Sequence, residues 1–253
     1  MKKFSIILIL IFSLFLCGCT KNTPKSSLDE IKERGYLIVG TNFNAKPFGF
    51  IENGKLQGFD IDLARKIAKN IFDDENKIEF IETTSENRLS KLLSGEVDMI
   101  IATMTDTQER RAIVSFSPSY YLSGQAVLCT ENSNVKSVAD LKNHNVVIVI
   151  GSSAEKTYKK LFIGNNKIIR ALTLKEGFSA VNNDTCMIDD DSVLRGFIMD
   201  NKGYKIFNKK LSEEPYAIAV RKNEDMLKEE VDYSIQLLKD SGELDKIKNK
   251  WIK

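Results

Sequence analysis

Two threonines and an arginine follow a short apolar run near the middle of the chain and have the chemistry to hold a carboxylate. The run from Val97 to Ala102 is bounded by a glycine and by hydroxyl residues, which predicts a buried strand that emerges at a sheet edge. Thr103 and Thr105 alternate, so in an extended chain their side chains point the same way. Arg110 follows about one helical turn later, and a guanidinium can bind a carboxylate through two parallel hydrogen bonds. Because ligands of open α/β sheets bind beyond the carboxyl ends of strands, the spacing predicts a binding site here.

The same residues also fit a purely structural role at the start of a helix. Thr105 with Gln108 three residues later matches the capping-box pattern, and Thr107 is an alternative cap. Arg110 and Arg111 would then be ordinary surface charges. The local pattern alone leaves both interpretations open.

The start of the chain predicts export and lipid anchoring. Two lysines precede the apolar run 4–16, and residues 16–19 read LCGC, which resembles the bacterial lipobox with Cys19 as the lipid-modified residue. We therefore expect a signal peptide over 1–18, a lipidated tether over 19–33, and an extracytoplasmic protein anchored to the cell membrane by its lipid. An uncleaved membrane anchor is the alternative, although the apolar run is short for a membrane span.

The composition limits the partners and cofactors. The chain has 253 residues, enough for one large or two small domains, and its net charge of +2 is too balanced to indicate a nucleic-acid partner. With His144 as the single histidine, no metal cluster or Ser-His-Asp triad can be assembled, and no nucleotide-binding glycine motif occurs. The acidic run 189–191 lacks the glycine and the distal glutamate of a calcium loop. No cofactor or metal is expected.

Two cysteines remain in the part of the chain that is expected to fold. Cys129 and Cys186 both lie in apolar, strand-like runs, and a buried cysteine behaves as a small hydrophobic residue. We expect two buried free thiols. A disulfide between them, which an oxidising compartment permits, is the alternative.

Strand and helix patterns alternate in two successive units, which predicts an α/β fold. In the first unit Asn53-Gly54 is a strong turn signal within the hairpin 48–59, and Asp60 is expected to cap the helix that follows. In the second unit Thr173 is expected to cap a helix. The expected strands are 36–40, 77–82, 97–102, 146–150, 167–170, 185–188, 204–207 and 216–220, and the later helices are 154–162, 226–238 and 244–251.

Several sequence blocks, in order, resemble one protein family. The blocks are PFGF, GKLQGFDIDLARKIAKN, LLSGEVDMIIATMTDTQERR, VSFSPSYYLSGQ, DLKNHNVVIVIGSSAE, EPYAIAVRK and LKDSGELDKIKNKW. They are similar to the extracytoplasmic amino-acid-binding lipoproteins of ABC importers, solute-binding protein family 3. The resemblance covers nearly everything after the signal peptide, and in motif it is closest to the glutamate/aspartate binders.

The resemblance implies a two-lobed α/β fold of the periplasmic-binding-protein type II, or flytrap, class with two hinge crossings. The crossings would fall near 122–125 and 215–219. Lobe 1 would comprise 34–122 and 220–253, and lobe 2 would comprise 123–219. The implied partners are one free amino acid per monomer and the permease of an ABC importer.

The resemblance also implies a ligand site shared by the two lobes. Thr103, Thr105 and Arg110 match the family block that holds the ligand's α-carboxylate, and Ser152 and Ser153, after Gly151, match a turn that offers it further donors. Asp190 matches the carboxylate that holds the α-ammonium, with Asp191 as the alternative because the register is open by one residue.

Two features depart from the family pattern. The residues before that strand read Asn183-Asp184-Thr185, which leaves the Asp190 register open. The aromatic that often stacks on the ligand near Ala45 is missing, so Phe43 or Phe48 takes its place or is simply core.

The loop 84–89 bears on the choice of ligand. Arg88 lies in the sequence TSENRL, which resembles the loop of glutamate and aspartate binders, and a second guanidinium suits a second carboxylate. Ser85 is expected to add a hydrogen bond, and Asn42, in the loop that leaves the first strand, completes the predicted set. We therefore expect an acidic L-amino acid, with glutamine, cystine or another polar amino acid as the alternative.

Two other functions use the same fold. A dehydratase-like enzyme would need a general acid or base in the cleft, and Glu86, Asp189 and Asp191 are the candidates, but none has an evident partner to tune its pKa. A sensory or adhesin role would use the same binding chemistry. We expect a transport receptor and no enzyme.

Overall fold

The computed structural model describes residues 27–161, 167–207 and 209–252. The predicted signal peptide, Cys19 and the C-terminal residue of the predicted helix 154–162 lie outside these residues. The strands are β1 (Leu37–Thr41), β2 (Asn44–Ala45), β3 (Gly49–Glu52), β4 (Lys55–Gln57), β5 (Ile78–Glu82), β6 (Met99–Ile100), β7 (Val114–Phe116), β8 (Tyr121–Ser123), β9 (Gln125–Thr130), β10 (Asn145–Val149), β11 (Ile168–Ala171), β12 (Thr185–Asp190), β13 (Tyr204–Ile206), β14 (Glu214–Tyr216) and β15 (Ala219–Arg221). The α-helices are α1 (Ser27–Arg34), α2 (Phe59–Phe72), α3 (Arg88–Leu93), α4 (Gln108–Arg111), α5 (Ala154–Leu161), α6 (Leu174–Ala180), α7 (Asp191–Asp200), α8 (Asp225–Asp240) and α9 (Glu243–Trp251), and a 3-10 helix covers Val138–Asn143.

The strands form two five-stranded sheets, one in each lobe of a two-lobed α/β fold of the periplasmic-binding-protein class. The first sheet has the order β5-β1-β6-β15-β7 and the second the order β11-β10-β12-β9-β13. In the first sheet β5, β1 and β6 pair in parallel, and β15, from the return of the chain, joins in antiparallel orientation. In the second sheet β11, β10 and β12 pair in parallel, and β9, by which the chain enters this lobe, joins in antiparallel orientation. The carboxyl ends of the parallel strands therefore meet at one edge of each sheet, where ligands bind.

Two adjacent strands carry the chain between the lobes. β8 leads from the first sheet into β9 of the second, and β14 leads back towards β15. The two pair with each other in antiparallel register, with Leu122 opposite Pro215. A two-stranded ribbon of this kind leaves the lobes connected by few backbone links, so they can move relative to one another.

The predicted boundaries of strands and helices agree with the structure where local sequence signals are strong. They differ where pairing or packing with another segment sets the boundary. The hairpin turns at Asn53 and Gly54, both with positive φ, and the hydroxyl of Thr173 caps α6 as predicted. The predicted strand 216–220 is instead divided between β14 and β15, because one part pairs across the hinge and the other joins the first sheet. Residues 27–33 of the predicted tether belong to α1, which packs Leu28 and Ile31 into the core.

The expectation of free thiols is wrong. Cys129 and Cys186 form a disulfide, with Cα atoms 4.5 Å apart. β9 and β12 pair in antiparallel register with Leu128 opposite Met187, and one further step places the cysteines opposite each other. The disulfide therefore joins neighbouring strands of the second sheet inside an apolar cluster.

Phe48 belongs to the core. It is fully buried and packs edge-on against Tyr121 and Tyr216, which lie on the two hinge strands. Phe59, at the start of α2, extends this aromatic cluster. The cluster anchors the hinge strands to the first lobe, so Phe48 is not available to stack on a ligand.

Candidate functional site

The predicted polar residues converge on one cavity between the two lobes. In this closed arrangement of the lobes, the space in the cavity that a water-sized molecule can occupy is about 20 Å³. Its lining contains every residue of the predicted set except Arg110, and it adds three that the prediction did not include. The lining residues are Asn42, Ser85, Arg88, Thr103, Thr105, Ser152, Ser153, Leu174, Asp189, Asp190 and Val193.

Arg110 lies at the rim of this cavity and contacts both lobes. One guanidinium nitrogen donates to the main-chain oxygen of Thr105 at 2.7 Å, and the other terminal nitrogen donates to that of Gly151 in the second lobe at 3.0 Å. Thr107, not Thr105, caps α4 by accepting from the Arg110 amide. The helix is therefore a short support that directs Arg110 towards the gap between the lobes.

Arg88 is a buried cation. Only 4% of the residue is exposed, and Nη1 donates to the main-chain oxygen of Ala102 at 2.8 Å. Burial, and secondarily the nearby positive charge of Arg110, lowers the pKa of Arg88 to about 9. Because a buried charge is costly without a partner, this guanidinium favours an anionic or strongly polar acceptor in the cavity.

Asp60 holds the backbone that carries the threonines. Its carboxylate is buried, and Oδ2 accepts from the Thr103 amide at 3.0 Å. Thr103 has a φ of 47°, a left-handed conformation that is uncommon for a β-branched residue. The predicted role of Asp60 as a helix cap is therefore wrong: α2 begins at Phe59, and Asp60 turns inward to fix the strained turn beside the cavity.

We predict that Asp60 makes the ligand-free protein less stable as the pH rises. Burial raises the pKa of Asp60 from 3.8 to about 7, against the opposing effects of the Thr103 amide and Arg88. Between those values the folded state binds more protons than the unfolded state, so the free energy of unfolding falls with pH. The contribution is roughly 1.4 kcal/mol per pH unit.

Urea unfolding of wild type and Asp60→Asn at pH 5, 6 and 7 measures this slope. Wild type should lose stability relative to the variant across the series, and the exposed acid substitution Glu79→Gln should not alter the wild-type slope. Equal slopes for wild type and Asp60→Asn would contradict the assignment.

The second lobe contributes a turn between β10 and α5. The hydroxyl of Ser152 donates to the main-chain oxygen of Val149 at 2.7 Å, and it accepts from the Ala154 amide. The hydroxyl of Ser153 accepts from Gln125 Nε2 at 3.1 Å. The proton of Ser152 is thus used inside the turn, so this side chain supports the turn conformation instead of offering the predicted hydroxyl donor.

Asp190 and Asp191, the two alternatives for the ammonium ligand, have different surroundings. Asp190 lines the cavity, whereas Asp191 begins α7, accepts from Ser123 Oγ at 3.1 Å and lies 3.4 Å from Lys210 Nζ. Tyr216 donates its hydroxyl to Asp190 Oδ2 at 2.6 Å. Burial and the neighbouring Asp189 raise the pKa of Asp190, so a cation in the cavity would stabilise its ionised form.

Asp189 is the main site residue that the binding prediction omitted. Its Oδ1 accepts from the Asp190 amide at 2.8 Å, and its Oδ2 is buried with no hydrogen-bond partner among the described residues. Burial raises the pKa of Asp189 to about 7. Its position at the carboxyl end of a predicted strand could have indicated Asp189 as a site residue. Strand alternation, however, predicts that only one of two adjacent acids faces the site.

The lobes touch on both sides of the cavity. Lys46 Nζ lies 2.7 Å from Asp200 Oδ2, and Lys156 Nζ lies 2.6 Å from Glu109 Oε1. Gly151 approaches the main chain of Ser85 so closely that a Cβ there would lie 2.4 Å from its oxygen. These contacts describe a closed arrangement of the two lobes.

Neither a metal centre nor a membrane helix is seen in the described part of the chain. Among residues 27–161, 167–207 and 209–252, no group of three or more His, Cys, Asp or Glu residues is placed to hold a metal ion. Within the same residues, no helix has the length and apolar character that a bilayer crossing requires.

Comparison with known proteins identifies a family, and it identifies relatives whose sequences align with this chain over most of their length. Residues 37–253 match the bacterial extracellular solute-binding proteins, family 3. The ABC transporter glutamine-binding protein GlnH of Bacillus subtilis (strain 168) is 35% identical over 269 residues, which cover 100% of this chain and 98% of that protein. The glutamate/aspartate import solute-binding protein of Escherichia coli (strain K12) is 28% identical over 241 residues, 90% of this chain and 80% of that protein.

A solved structure shows the same fold. An ancestral arginine-binding protein bound to glutamine superposes with a TM-score of 0.80 at 38% identity, covering 86% of this chain and 98% of that one. Over the whole chain, the similarity to the glutamine-binding protein therefore exceeds that to the glutamate/aspartate protein. The motif-level expectation, which put the glutamate/aspartate binders first, does not extend to the full sequence.

Proposed function

Because the chain belongs to the bacterial extracellular solute-binding proteins, family 3, we propose that its cavity captures a polar L-amino acid and that the loaded protein delivers it to an ABC permease. The observation that carries the proposal is the pair of opposite charges from different lobes at one cavity. Arg110 comes from the first lobe and donates to the main chain of the lining residue Thr105, and Asp190 comes from the second lobe and lines the cavity itself. A free amino acid carries the complementary pair on its α-carbon.

Arg110 is proposed to bind the α-carboxylate. Its two terminal nitrogens now donate to main-chain oxygens, one in each lobe, so a carboxylate would exchange neutral acceptors for a charged one. Charge-assisted bidentate pairs are the stronger kind of hydrogen bond. The α-ammonium is proposed to bind Asp190, whose two oxygens accept from Gln125 and Tyr216 and are thereby fixed in position.

Ligand binding and lobe closure are proposed to be coupled. A ligand that touches both lobes stabilises the closed arrangement by the free energy of the contacts that the open arrangement cannot make. Lys46 with Asp200 and Glu109 with Lys156 add attraction across the gap. The permease would then recognise the closed surface.

Two kinds of ligand side chain have support, an acidic one and a neutral polar one. Arg88 supports an acidic side chain, as expected from the sequence, because glutamate or aspartate would supply a carboxylate to a buried guanidinium. The similarity to a glutamine-binding protein, and to an ancestral protein solved with glutamine, supports a neutral polar side chain.

The cellular location and anchoring follow the family and the N-terminal sequence. The family is extracellular, and we propose that cleavage before Cys19 and lipidation of that residue tether the protein to the membrane. The relatives are transport proteins, and the chain is a solute-binding protein, not an enzyme.

We predict tight binding of one polar L-amino acid per monomer. Isothermal titration of protein that begins after Cys19, unfolded and refolded to remove co-purified ligand, would be performed with glutamine, glutamate, aspartate, asparagine, cystine, histidine and arginine. At least one should bind with micromolar affinity or better, and its D-enantiomer should bind much more weakly because Arg110 and Asp190 fix the α-carbon. Folded protein that binds none of them would refute the proposal.

A further inference from the structure

We propose that Arg88 and Asp189 together select a side-chain carboxamide, so that glutamine and asparagine bind more tightly than glutamate and aspartate. The inference rests on the proposed function, because it concerns the side chain of the amino acid that the cavity is proposed to hold. It assigns a specificity role to Asp189, which lies beside the ammonium-binding residue but is distinct from it.

The charged side chains at the site balance those of an amino-acid ligand. Arg88, Asp189 and Asp190 line the cavity, and Arg110 lies at its rim. A zwitterionic amino acid uses Arg110 for its carboxylate and Asp190 for its ammonium group. One cation, Arg88, and one anion, Asp189, then remain for the side chain, and their sum is zero.

Arg88 and Asp189, the remaining pair, come from opposite lobes. Arg88 begins α3 in the first lobe, and Asp189 lies near the carboxyl end of β12 in the second. Both are more than nine-tenths buried. Closure therefore brings a hydrogen-bond donor and an acceptor to the same cavity, while bulk water is largely kept away from both.

Asp189 has an acceptor atom that no described residue uses. Asp189 Oδ2 is buried with no hydrogen-bond partner within the described residues. Buried polar atoms are almost always paired, so an unpaired one calls for an explanation. Here the cavity is the side from which a donor can come.

These features fit one chemical group. The oxygen of a carboxamide accepts from Arg88, and its NH2 group donates to Asp189, so both buried charges are paired. A side-chain carboxylate would satisfy Arg88 but face Asp189 with like charge and no proton to donate. A cationic side chain would satisfy Asp189 but repel Arg88.

The test compares amide and acid ligands in two matched variants. Titrations at pH 8, above the pKa of about 7 to which burial raises Asp189, would give the glutamine-to-glutamate and asparagine-to-aspartate affinity ratios. For wild type we expect a ratio of about 100 in favour of the preferred amide. Asp189→Asn should lower that ratio at least 10-fold, mainly by tighter binding of the acid, whereas Asp184→Asn, which removes an exposed carboxylate at the other end of β12, should preserve it.

A second variant makes the test independent of how Asp189→Asn folds. Arg88→Gln leaves Asp189 as the only charge facing the side chain, so the affinity for lysine relative to glutamine should rise at least 10-fold. Wild type that binds glutamate as tightly as glutamine, or amide-to-acid ratios that Asp189→Asn does not change, would overturn the inference while amino-acid binding itself stands. Failure of folded wild type to bind any amino acid would instead refute the proposed function.

Discussion

Arg110→Ala is expected to reduce the affinity for every amino-acid ligand about 1,000-fold, whatever the side chain. The guanidinium is mostly buried, which lowers its pKa through desolvation, although Asp190 and Glu214 favour the charged form. Removing it would leave the ligand's α-carboxylate in a closed cavity without its charged partner. Breaking a buried charge pair by removing one member costs about 3–5 kcal/mol, which corresponds to this loss.

The neighbouring arginine supplies the control. Arg111 is exposed and pairs with Asp106, so Arg111→Ala removes the same charge from the same short helix without touching the cavity. Its binding isotherm should match that of wild type. If Arg110→Ala retained an affinity within 10-fold of wild type while its thermal unfolding was normal, the α-carboxylate would have to bind elsewhere.

The Arg110→Ala titrations would also distinguish residues that bind the α-groups shared by all amino acids from residues that select the side chain. The α-group contacts should affect all ligands equally, whereas Arg88 and Asp189 should change only the ranking among them. The two effects are measured in the same titrations, because one appears in the absolute affinity and the other in ratios.

The sequence was sufficient for the parts of the site that sit on locally determined elements. Asn53-Gly54 adopts a turn that its own residues prefer, and Ser153 follows a glycine whose positive φ makes the turn after β10. Arg110 is placed by a short helix that Thr107 caps. Each of these depends on a few consecutive residues.

The features that were missed depend on distant segments. Asp60 looked like a helix cap, but its partner is an amide 43 residues later in the chain. The Cys129–Cys186 disulfide depends on the pairing of β9 with β12, across 57 residues. Neither contact leaves a local signal, since composition and periodicity report only which face of an element is buried.

Asp189 shows a different limit. The family resemblance implied that one acid of the run 189–191, Asp190 or Asp191, holds an ammonium group, and this assumption left Asp189 without a role in amino-acid binding. In the structure Asp189 and Asp190 both lie in β12, opposite Ala126 and Gln125 of β9, and both line the cavity. A cavity at the carboxyl end of a strand can therefore be lined by consecutive residues that strand periodicity assigns to opposite faces.

Gly196→Ala is expected to lower ligand affinity about 100-fold without reducing the stability of the ligand-free protein. Gly196 lies in α7 of the second lobe, and a Cβ at this position would be 2.0 Å from the main-chain oxygen of Lys46 in the first lobe. A backbone atom cannot yield as a flexible side chain does, so the methyl group opposes closure. An added cost of about 3 kcal/mol for the closed state would reduce the apparent affinity by that factor.

The thermal stability of ligand-free Gly196→Ala should not fall with its ligand affinity. In the open arrangement the methyl group meets no opposing lobe, and alanine is preferred to glycine within a helix by about 1 kcal/mol. The melting temperature of ligand-free Gly196→Ala should therefore equal or exceed that of wild type, and small-angle X-ray scattering should show that ligand causes less compaction than in wild type.

Gly177→Ala is the matched control for this effect. Gly177 is also a helical glycine of the second lobe, but a Cβ there would meet the flexible end of Met187 inside the same lobe, 2.9 Å away. This substitution changes packing within the lobe and leaves closure unaffected. The ligand affinity of the Gly177→Ala variant should therefore stay close to that of wild type. If both variants lost affinity equally, the loss would reflect general perturbation of the second lobe. If only Gly196→Ala did, the approach of α7 to Lys46 is a contact that the protein must make to hold its ligand.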